Sequence, residues 1–319
     1  MKTAIWRRHV WTNRFQTVLL ILVLLGISGL AGSLLLGQIG LWIALLASLI
    51  ALVFEPAAAA RLTLRLYRAR PIDPFEAPGI WRVLRELAER AGLPVVPTPY
   101  YVPSLVCNAF TVGHAKSSAI AVTDGLLSQL STREFVGVLA HEVAHIAHGD
   151  LRVMGLADSV SRLTSLFALI GQILLLLALP WLLTGGHALE VNWLALLVLL
   201  LSPHLALLAQ LGLSRVREFD ADLKAAALTG DPEGLALALA HIERASRSWL
   251  SILLPGWGNP EPSWLRTHPA TAERIRRLRA LASSPARPGL WLAETPSAGF
   301  ITRPTPVRMP RWYVGGLWR

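Results

Sequence analysis

Two histidines and a glutamate, spaced by one helical turn, are the residues of this chain whose types and spacing most favour chemistry. They lie in the segment His141-Glu142-Val143-Ala144-His145. On a helix, residues four apart share a face, so both imidazoles could bind one zinc ion, with the carboxylate beside the water that zinc activates. The chain has nine histidines among 319 residues, and a chance match to the pattern is expected roughly 0.01 times. The pattern therefore predicts a hydrolytic zinc site; the alternative is two histidines on a solvated helix face.

The neighbouring residues predict the helix that must position this pair. Ser131 and Glu134 have the spacing of a capping box, in which two side chains bind the first backbone N–H groups of a helix. Apolar residues follow at helical spacing, and Gly149 gives a stop signal. We therefore expect both histidines to lie within a well-formed helix that ends at Gly149.

Two histidines do not complete a catalytic zinc site, which usually has three protein ligands and an open position for water. His148 is a poor third ligand, because it lies seven residues beyond His141, or about 10.5 Å along a helix axis. No glutamate occurs from residue 143 to residue 189. The next acid-rich segment is residues 214–222, Ser-Arg-Val-Arg-Glu-Phe-Asp-Ala-Asp.

In that segment Glu218 and Asp222 are four residues apart and would share a helix face. One carboxylate could then reach the zinc while the other accepts a hydrogen bond from a ligand imidazole. The alternative is a charged cap on a membrane helix, in which the arginines are topological anchors. We adopt the anchor interpretation for Arg217 and the metal-site interpretation for Glu218.

The composition excludes an ordinary soluble domain. Apolar residues make up 53% of the chain, and no charged residue occurs between Phe15 and Phe54. That stretch can cross a bilayer core twice, with a turn at residues 37–40. It is too long for the apolar segment of a cleaved signal peptide, so we expect an uncleaved anchor.

A second apolar stretch lies between Arg162 and Arg215, and we expect it to turn at residues 184–187. None of the 30 lysines and arginines lies in residues 15–60 or 163–214. Under the positive-inside rule, both termini and the histidine motif therefore face the cytoplasm.

The net charge of +10 is concentrated beside the apolar stretches. Anionic lipid is therefore the expected partner of these basic residues, and nucleic acid is not. The single cysteine, Cys107, forms no internal disulfide, which agrees with a reducing compartment. We interpret it as a small buried apolar residue.

Residues between the two apolar stretches have the pattern of a mixed globular region. Apolar positions at helical spacing predict an amphipathic helix over residues 79–91 that ends at Gly92. Three β-prone segments follow, at residues 98–102, 106–112 and 118–122. They predict a small sheet before the motif helix.

The histidine motif, followed after an apolar hairpin by residues 214–222, resembles the HtpX-type membrane zinc metalloproteases, relatives of the CAAX prenyl proteases. The resemblance covers roughly residues 15–282. It includes four further features: Asn108-Ala109-Phe110, Val122-Thr123-Asp124-Gly125-Leu126-Leu127, Thr267-His268-Pro269 and Arg274. The chain departs from the family at Cys107, where proline is usual, and at residues 148–150, where Asn-Arg-Asp is more usual.

The resemblance implies that His141, His145 and Glu218 bind one zinc ion per chain and that Glu142 is the catalytic base. His268 would lie over the metal, as a transition-state donor or a displaceable fourth ligand.

Two further groups of residues are implied by the same resemblance. Asp222, Arg215 and Arg274 would surround the metal ligands. Asn108, Ala109 and Phe110 would contact the substrate.

These features together predict a mainly α membrane protein, with four transmembrane helices in two hairpins and a cytoplasmic zincin-like α+β domain containing a small sheet. The expected parts are an N-terminal hairpin, the first part of the catalytic domain, a second hairpin, the second part of the catalytic domain and a basic Pro/Trp-rich tail. Their bounds are 1–60, 61–162, 163–213, 214–283 and 284–319. The tail either packs on its own domain, which we favour, or anchors at the membrane interface.

The expected function is zinc-dependent endopeptidase activity at the cytoplasmic face of a bacterial inner membrane. By resemblance, the substrates are polypeptides, above all damaged or misassembled membrane proteins. Residues 118–122 could pair with the substrate backbone as an added strand. The alternatives are a CAAX-type prenyl protease, with the same chemistry, and a non-catalytic zinc-binding membrane scaffold.

Overall fold

The structure is a computed structural model that describes residues 2–53, 57–114, 116–183, 193–246 and 271–282. Ten helices lie in these ranges: α1 (Lys2–Leu36), α2 (Gln38–Val53), α3 (Ala57–Leu66), α4 (Pro78–Ala91), α5 (Asp124–Gln129), α6 (Thr132–His148), α7 (Asp150–Leu183), α8 (Trp193–Thr229), α9 (Pro232–Ser246) and α10 (Thr271–Ala282). Four strands accompany them: β1 (Arg70–Pro71), β2 (Thr98–Val102), β3 (Ala109–His114) and β4 (Ser117–Thr123). The prediction of a mainly α protein with a small sheet is confirmed.

Three helices contain stretches long and apolar enough to cross a membrane. These stretches are Trp11–Leu36, Asp150–Pro180 and Trp193–Thr229, and α2 contributes a shorter apolar stretch, Gln38–Ala51. Many of their large apolar side chains are exposed, as at Leu22 and Leu208, which are 59% and 64% accessible. Such a surface suits lipid, because soluble proteins rarely expose a continuous apolar patch of this size.

The apolar helices α1, α2, α7 and α8 pack against one another. The first turn lies at Gly37, between α1 and α2 and within the predicted residues 37–40. Gly37 has a φ of 64°, a left-handed conformation that suits glycine at a helix end. A Cβ atom at Gly40 would lie 1.9 Å from the carbonyl oxygen of Gly32, so glycine permits the close contact of α1 with α2. The second predicted turn, at residues 184–187, lies outside the described residues.

The four strands form one sheet in the order β1-β2-β4-β3. Strand β4 pairs in parallel with β2 and antiparallel with β3. The prediction that residues 118–122 could accept a substrate strand is therefore wrong, because both edges of β4 are already hydrogen-bonded. Among the described strands, β3 lies at the edge next to β4.

The segment before β3 is irregular, with a bend at residues 105–106, although a strand was expected from residue 106. Thr123 causes this, because its hydroxyl donates to the carbonyl oxygen of Val106 at 2.6 Å and accepts from the backbone N–H of Asn108 at 3.0 Å. These side-chain contacts replace strand pairing until Ala109. Cys107, in the same segment, is buried as predicted.

One apolar core joins the sheet to α4, α6, α9 and α10. Its most buried members come from all of these elements: Leu84, Leu87, Ile120, Leu139, Leu235 and Leu278. This core fixes α6 against the sheet.

Helices α7 and α8 connect the apolar bundle to this core region. Helix α7 begins directly after Gly149, and α8 continues without a break from Trp193 to Thr229. The boundaries expected at residues 162 and 213 lie inside these continuous helices. The same two helices therefore carry both apolar stretches and polar residues of the candidate site.

Candidate metal centre

The motif helix α6 begins and ends where the sequence predicts. The Ser131 hydroxyl accepts from the backbone N–H of Glu134 at 3.3 Å, and the Glu134 carboxylate accepts from the backbone N–H of Ser131 at 2.8 Å. Gly149 ends the helix in the left-handed conformation, with a φ of 67°. The capping box and the glycine stop thus set the position of the histidine pair on the helix.

Three candidate ligand residues converge in front of α6. The Nε2 atoms of His141 and His145 lie 3.0 Å apart. Glu218 of α8 reaches the same point, with Oε2 at 3.4 Å from His141 Nε2 and Oε1 at 3.7 Å from His145 Nε2. Within the described parts of the chain, these three residues form the group of side chains able to hold a metal ion.

The separations between the ligand atoms of these three residues fit a tetrahedral zinc ion. Zinc bonds of 2.0 to 2.2 Å to nitrogen or oxygen place neighbouring ligand atoms about 3.3 to 3.6 Å apart. The observed distances of 3.0, 3.4 and 3.7 Å bracket that range. Small side-chain shifts would therefore suffice to bind zinc.

Each histidine has a carboxylate behind it. The Nδ1 atom of His141 lies 3.0 Å from Asp222 Oδ1, and the Nδ1 atom of His145 lies 2.6 Å from Asp150 Oδ2. A carboxylate at Nδ1 favours the tautomer whose Nε2 lone pair is available to a metal. Both imidazoles are thus oriented as zinc ligands.

Two arginines hold the carboxylates in turn. Arg274 of α10 donates to both oxygens of Asp222 at 2.7 Å, and its Nη1 lies 3.0 Å from Glu218 Oε2. Arg217 of α8 donates to Asp150. A second contact keeps α10 on α8, because the Arg277 guanidinium lies 3.7 Å from the ring centroid of Phe219.

The electrostatics of the cluster favour a cation. Buried carboxylates outnumber buried guanidinium groups here: Glu142, Asp150, Glu218, Asp220 and Asp222 against Arg217 and Arg274. Burial alone would lower the pKa of His141, but Asp222 and Glu218 raise it to about 10. A divalent metal ion would offset much of this excess negative charge.

Glu142 directly follows His141 on α6 and has a partner of its own. Its Oε2 atom accepts a hydrogen bond of 2.6 Å from the hydroxyl of Thr111 on β3. Both residues are buried. The sheet therefore holds one carboxylate oxygen of the predicted catalytic base.

Comparison with known proteins assigns the chain to a family. The model of peptidase family M48 matches residues 74–282. The chain belongs to peptidase family M48. The HtpX homologue of Methylibium petroleiphilum is 33% identical over 287 residues, which cover 84% of this chain and 98% of the relative. That of Persephonella marina is 34% identical over 290 residues, which cover 85% and 98%.

A solved structure also resembles this M48 peptidase. The crystal structure of Ste24p from S. mikatae matches with a TM-score of 0.45 and 18% identity, over 85% of this chain and 66% of that chain. The expected resemblance to HtpX-type membrane metalloproteases is confirmed by the curated relatives. The chain is thus a metalloprotease by family.

The structure corrects the roles predicted for two arginines of this M48 peptidase. Buried positions of α8 recur at helical spacing, and they include Ser214, Arg217, Glu218, Ala221 and Asp222. Arg217 is on this face and binds Asp150, so its interpretation as a topological anchor is wrong. Arg215 is exposed, so it does not join the buried cluster around the metal ligands as expected.

The three residues expected to contact the substrate differ in their positions. Phe110 is 1% exposed and packs against the Tyr67 ring at 4.9 Å, so its side chain is not available to a substrate. Ala109 is buried in the main core, and Asn108 is partly buried. Side chains alternate between the two faces of a strand, which places Thr111, the neighbour of Phe110, toward Glu142.

Sequence reasoning missed Thr111, Asp150 and Arg217 in this M48 peptidase. Asp150 carried a weak signal, because an acid after the glycine stop can turn back toward the helix end. His268, with its neighbours Thr267 and Pro269, lies outside the described residues. Asp222 and Arg274 lie beside the candidate ligands, as the resemblance implied.

Proposed function

We propose that this protein is a zinc-dependent endopeptidase in which His141, His145 and Glu218 bind the metal. The observation that carries the proposal is the convergence of the ligand atoms of these three residues, at 3.0 to 3.7 Å, in front of the helix on which Glu142 directly follows His141. One helix supplies two ligands and the base, and α8 supplies the third ligand. This combination is the one that metalloproteases with the same motif use to hydrolyse peptide bonds.

Glu142 performs the proton transfers in this mechanism. Bound zinc would polarise the peptide carbonyl and lower the pKa of its water to roughly 7. Glu142 would take a proton from the water that attacks the carbonyl carbon, and would then give it to the leaving amine as the C–N bond breaks. Because Thr111 occupies Oε2, we assign the proton transfer to Oε1.

The substrate backbone pairs with β3 in this proposal. This strand lies at the sheet edge and carries Thr111, which contacts the base. A peptide added along β3 would therefore run past Glu142. Main-chain pairing tolerates many sequences, which suits a protease that removes damaged proteins.

We infer that the site lies close to a membrane surface. Asp150 begins α7 and Glu218 lies in α8, and both helices contain candidate membrane spans. We infer that misfolded or damaged membrane proteins reach the site from the bilayer, in a quality-control role. The 16 residues of α2 extend about 24 Å, so α2 would form the fourth span with local thinning of the bilayer.

Proteolysis in detergent tests this function. The purified full-length protein should cleave an unfolded membrane protein, lose activity with a zinc chelator and regain it when zinc is restored. Bound zinc without cleavage would favour the scaffold alternative. Cleavage of a farnesylated peptide but no unfolded protein would favour the CAAX-type alternative.

The proposed orientation has residues 61–162 and 215–319 in the cytoplasm and both hairpin turns in the periplasm. Single cysteines at Gly186 and Ser284, each in a Cys107→Ala background, should then differ toward an impermeant thiol reagent applied to intact cells. Gly186→Cys should react and Ser284→Cys should not. Cys107 is itself poorly reactive, because burial raises the pKa of its thiol to about 11. Labelling at Ser284→Cys would place the site on the opposite side of the membrane.

A further inference from the structure

A second set of side chains lies behind His145 and matches the set behind His141. Asp150 Oδ2 lies 2.6 Å from His145 Nδ1, and Arg217 donates to the other oxygen of Asp150. The Nη2 atom of Arg217 also donates to the backbone oxygen of His148 at 3.1 Å. Arginine, aspartate and histidine thus form a connected row, as Arg274, Asp222 and His141 do.

The chain geometry brings Asp150 back toward His145. Gly149 ends α6 in a left-handed conformation, and Asp150 is the first residue of α7. The start of a helix favours a carboxylate, because its backbone N–H groups carry partial positive charge. Asp150 is consequently held at the junction of the two helices, five residues after the histidine it contacts.

Burial distinguishes this pair from a surface ion pair. Asp150 is 3% exposed and Arg217 is 8% exposed. A buried ion pair adds little net stability, because desolvation of the two charges offsets their attraction. The ion pair instead sets side-chain orientation. Arg217 fixes the orientation of Asp150, and Asp150 fixes that of the His145 ring.

Helix α8 couples this pair to the third ligand. Arg217 directly precedes Glu218, so one turn of α8 carries both the arginine that binds Asp150 and the third candidate ligand. Arg217 also lies 3.9 Å from Asp220, which accepts a hydrogen bond of 2.5 Å from Asn13 of α1. The position of α8 against α1 and α7 therefore bears on both ligands.

We propose that Asp150 and Arg217 are positioning residues for His145. Asp150 accepts a hydrogen bond from Nδ1–H of the imidazole, which leaves the Nε2 lone pair directed at the metal, and Arg217 holds Asp150 in place. The proposal rests on the proposed zinc site, to which it adds two positioning residues.

Zinc affinity of the purified full-length protein tests the pair, by competition with a chromogenic chelator. Asp150→Ala should weaken zinc binding about 10- to 100-fold, as is typical when the partner of a ligand histidine is lost. Arg217→Gln should weaken it in the same direction. Arg215→Gln is the matched control, because it removes the same charge from an exposed position two residues before Arg217. This variant should bind zinc within about twofold of wild type.

A double-mutant cycle separates positioning from a general structural role. In a His145→Ala background, Asp150→Ala should cause little further loss of zinc affinity, because the effect of Asp150 passes through that ring. Additive losses would overturn the proposal. If Asp150→Ala fails to fold, Asp150→Asn and Arg217→Gln provide the same comparison, and affinities equal to that of Arg215→Gln would overturn it.

The same measurements distinguish failure of the pair from failure of the site. Zinc affinity retained in His145→Ala would contradict the proposed ligand set itself. Loss of zinc in His145→Ala, with wild-type affinity in the Asp150 and Arg217 variants, would contradict the positioning pair alone.

Discussion

Glu142→Gln should keep the zinc content of the purified protein near that of wild type and lower peptide cleavage by about 10²- to 10⁴-fold, the usual contribution of a general base. Glutamine has nearly the same shape as glutamate and can still accept the Thr111 hydrogen bond, but it cannot take a proton from water. The metal ligands are assigned to other residues, so binding should persist.

Metal analysis and cleavage of an unfolded substrate, made on the same preparations, check this result. Glu89→Gln is a suitable control, because Glu89 is an exposed glutamate of α4 whose loss should change neither quantity. Wild-type cleavage by purified Glu142→Gln would contradict the assigned mechanism. Parallel loss of zinc and activity would instead make Glu142 a structural part of the site.

Glu218→Ala should weaken zinc binding by more than about 100-fold, beyond the 10- to 100-fold expected for Asp222→Ala. Glu218 supplies a ligand atom at the convergence point, whereas Asp222 acts through the ring of His141. Both variants remove a partner of Arg274, so the comparison controls for the disturbed guanidinium.

His148→Ala completes this series as a matched histidine control. His148 lies on the same helix as the ligands but is exposed, and the contact of Arg217 is to its backbone oxygen, which alanine retains. Zinc affinity should therefore stay close to wild type. Loss of the metal in His148→Ala, together with its retention in Glu218→Ala, would show that the assignment of Glu218 as the third ligand is wrong.

Local rules predicted the elements that carry the ligands. The capping box at Ser131 and the stop at Gly149 act within one or two helical turns, so the limits of α6 follow from neighbouring residues. The i, i+4 spacing of His141 and His145 likewise needs no knowledge of the tertiary fold. Glu218 could be predicted as a candidate ligand because few acids follow the motif, and the family resemblance selected it over Asp222.

The roles of the arginines on α8 could not be predicted in the same way. Near an apolar stretch, any arginine has the pattern of a membrane anchor. The choice between Arg215 and Arg217 depends on which face of α8 packs against α6 and α7, and this is a property of the tertiary fold. Asp150 was hidden for a related reason, because the helix break at Gly149 ends the regular spacing that relates side chains along α6.

Strand order was also beyond local rules. The β-prone pattern located β2 and β4 to within a residue at each end, but the pattern does not state which strand is at an edge. The parallel pairing of β2 with β4 places β4 inside the sheet, which moves the proposed substrate strand to β3. The alternation of side chains along β3 predicts that Phe110 and its neighbour Thr111 point to opposite faces of the sheet. It does not predict which of the two faces lies toward the site.

X-ray absorption at the zinc edge tests the central claim most directly, when wild type and Glu218→Ala are measured side by side. The wild type should bind one zinc per chain, with at least two imidazole nitrogens and oxygen ligands at about 2.0 to 2.2 Å. Glu218→Ala, loaded with excess zinc, should keep the imidazoles and lose the carboxylate. Fewer than two imidazoles, a sulfur ligand at about 2.3 Å, or identical spectra for the two proteins would contradict a centre formed by His141, His145 and Glu218.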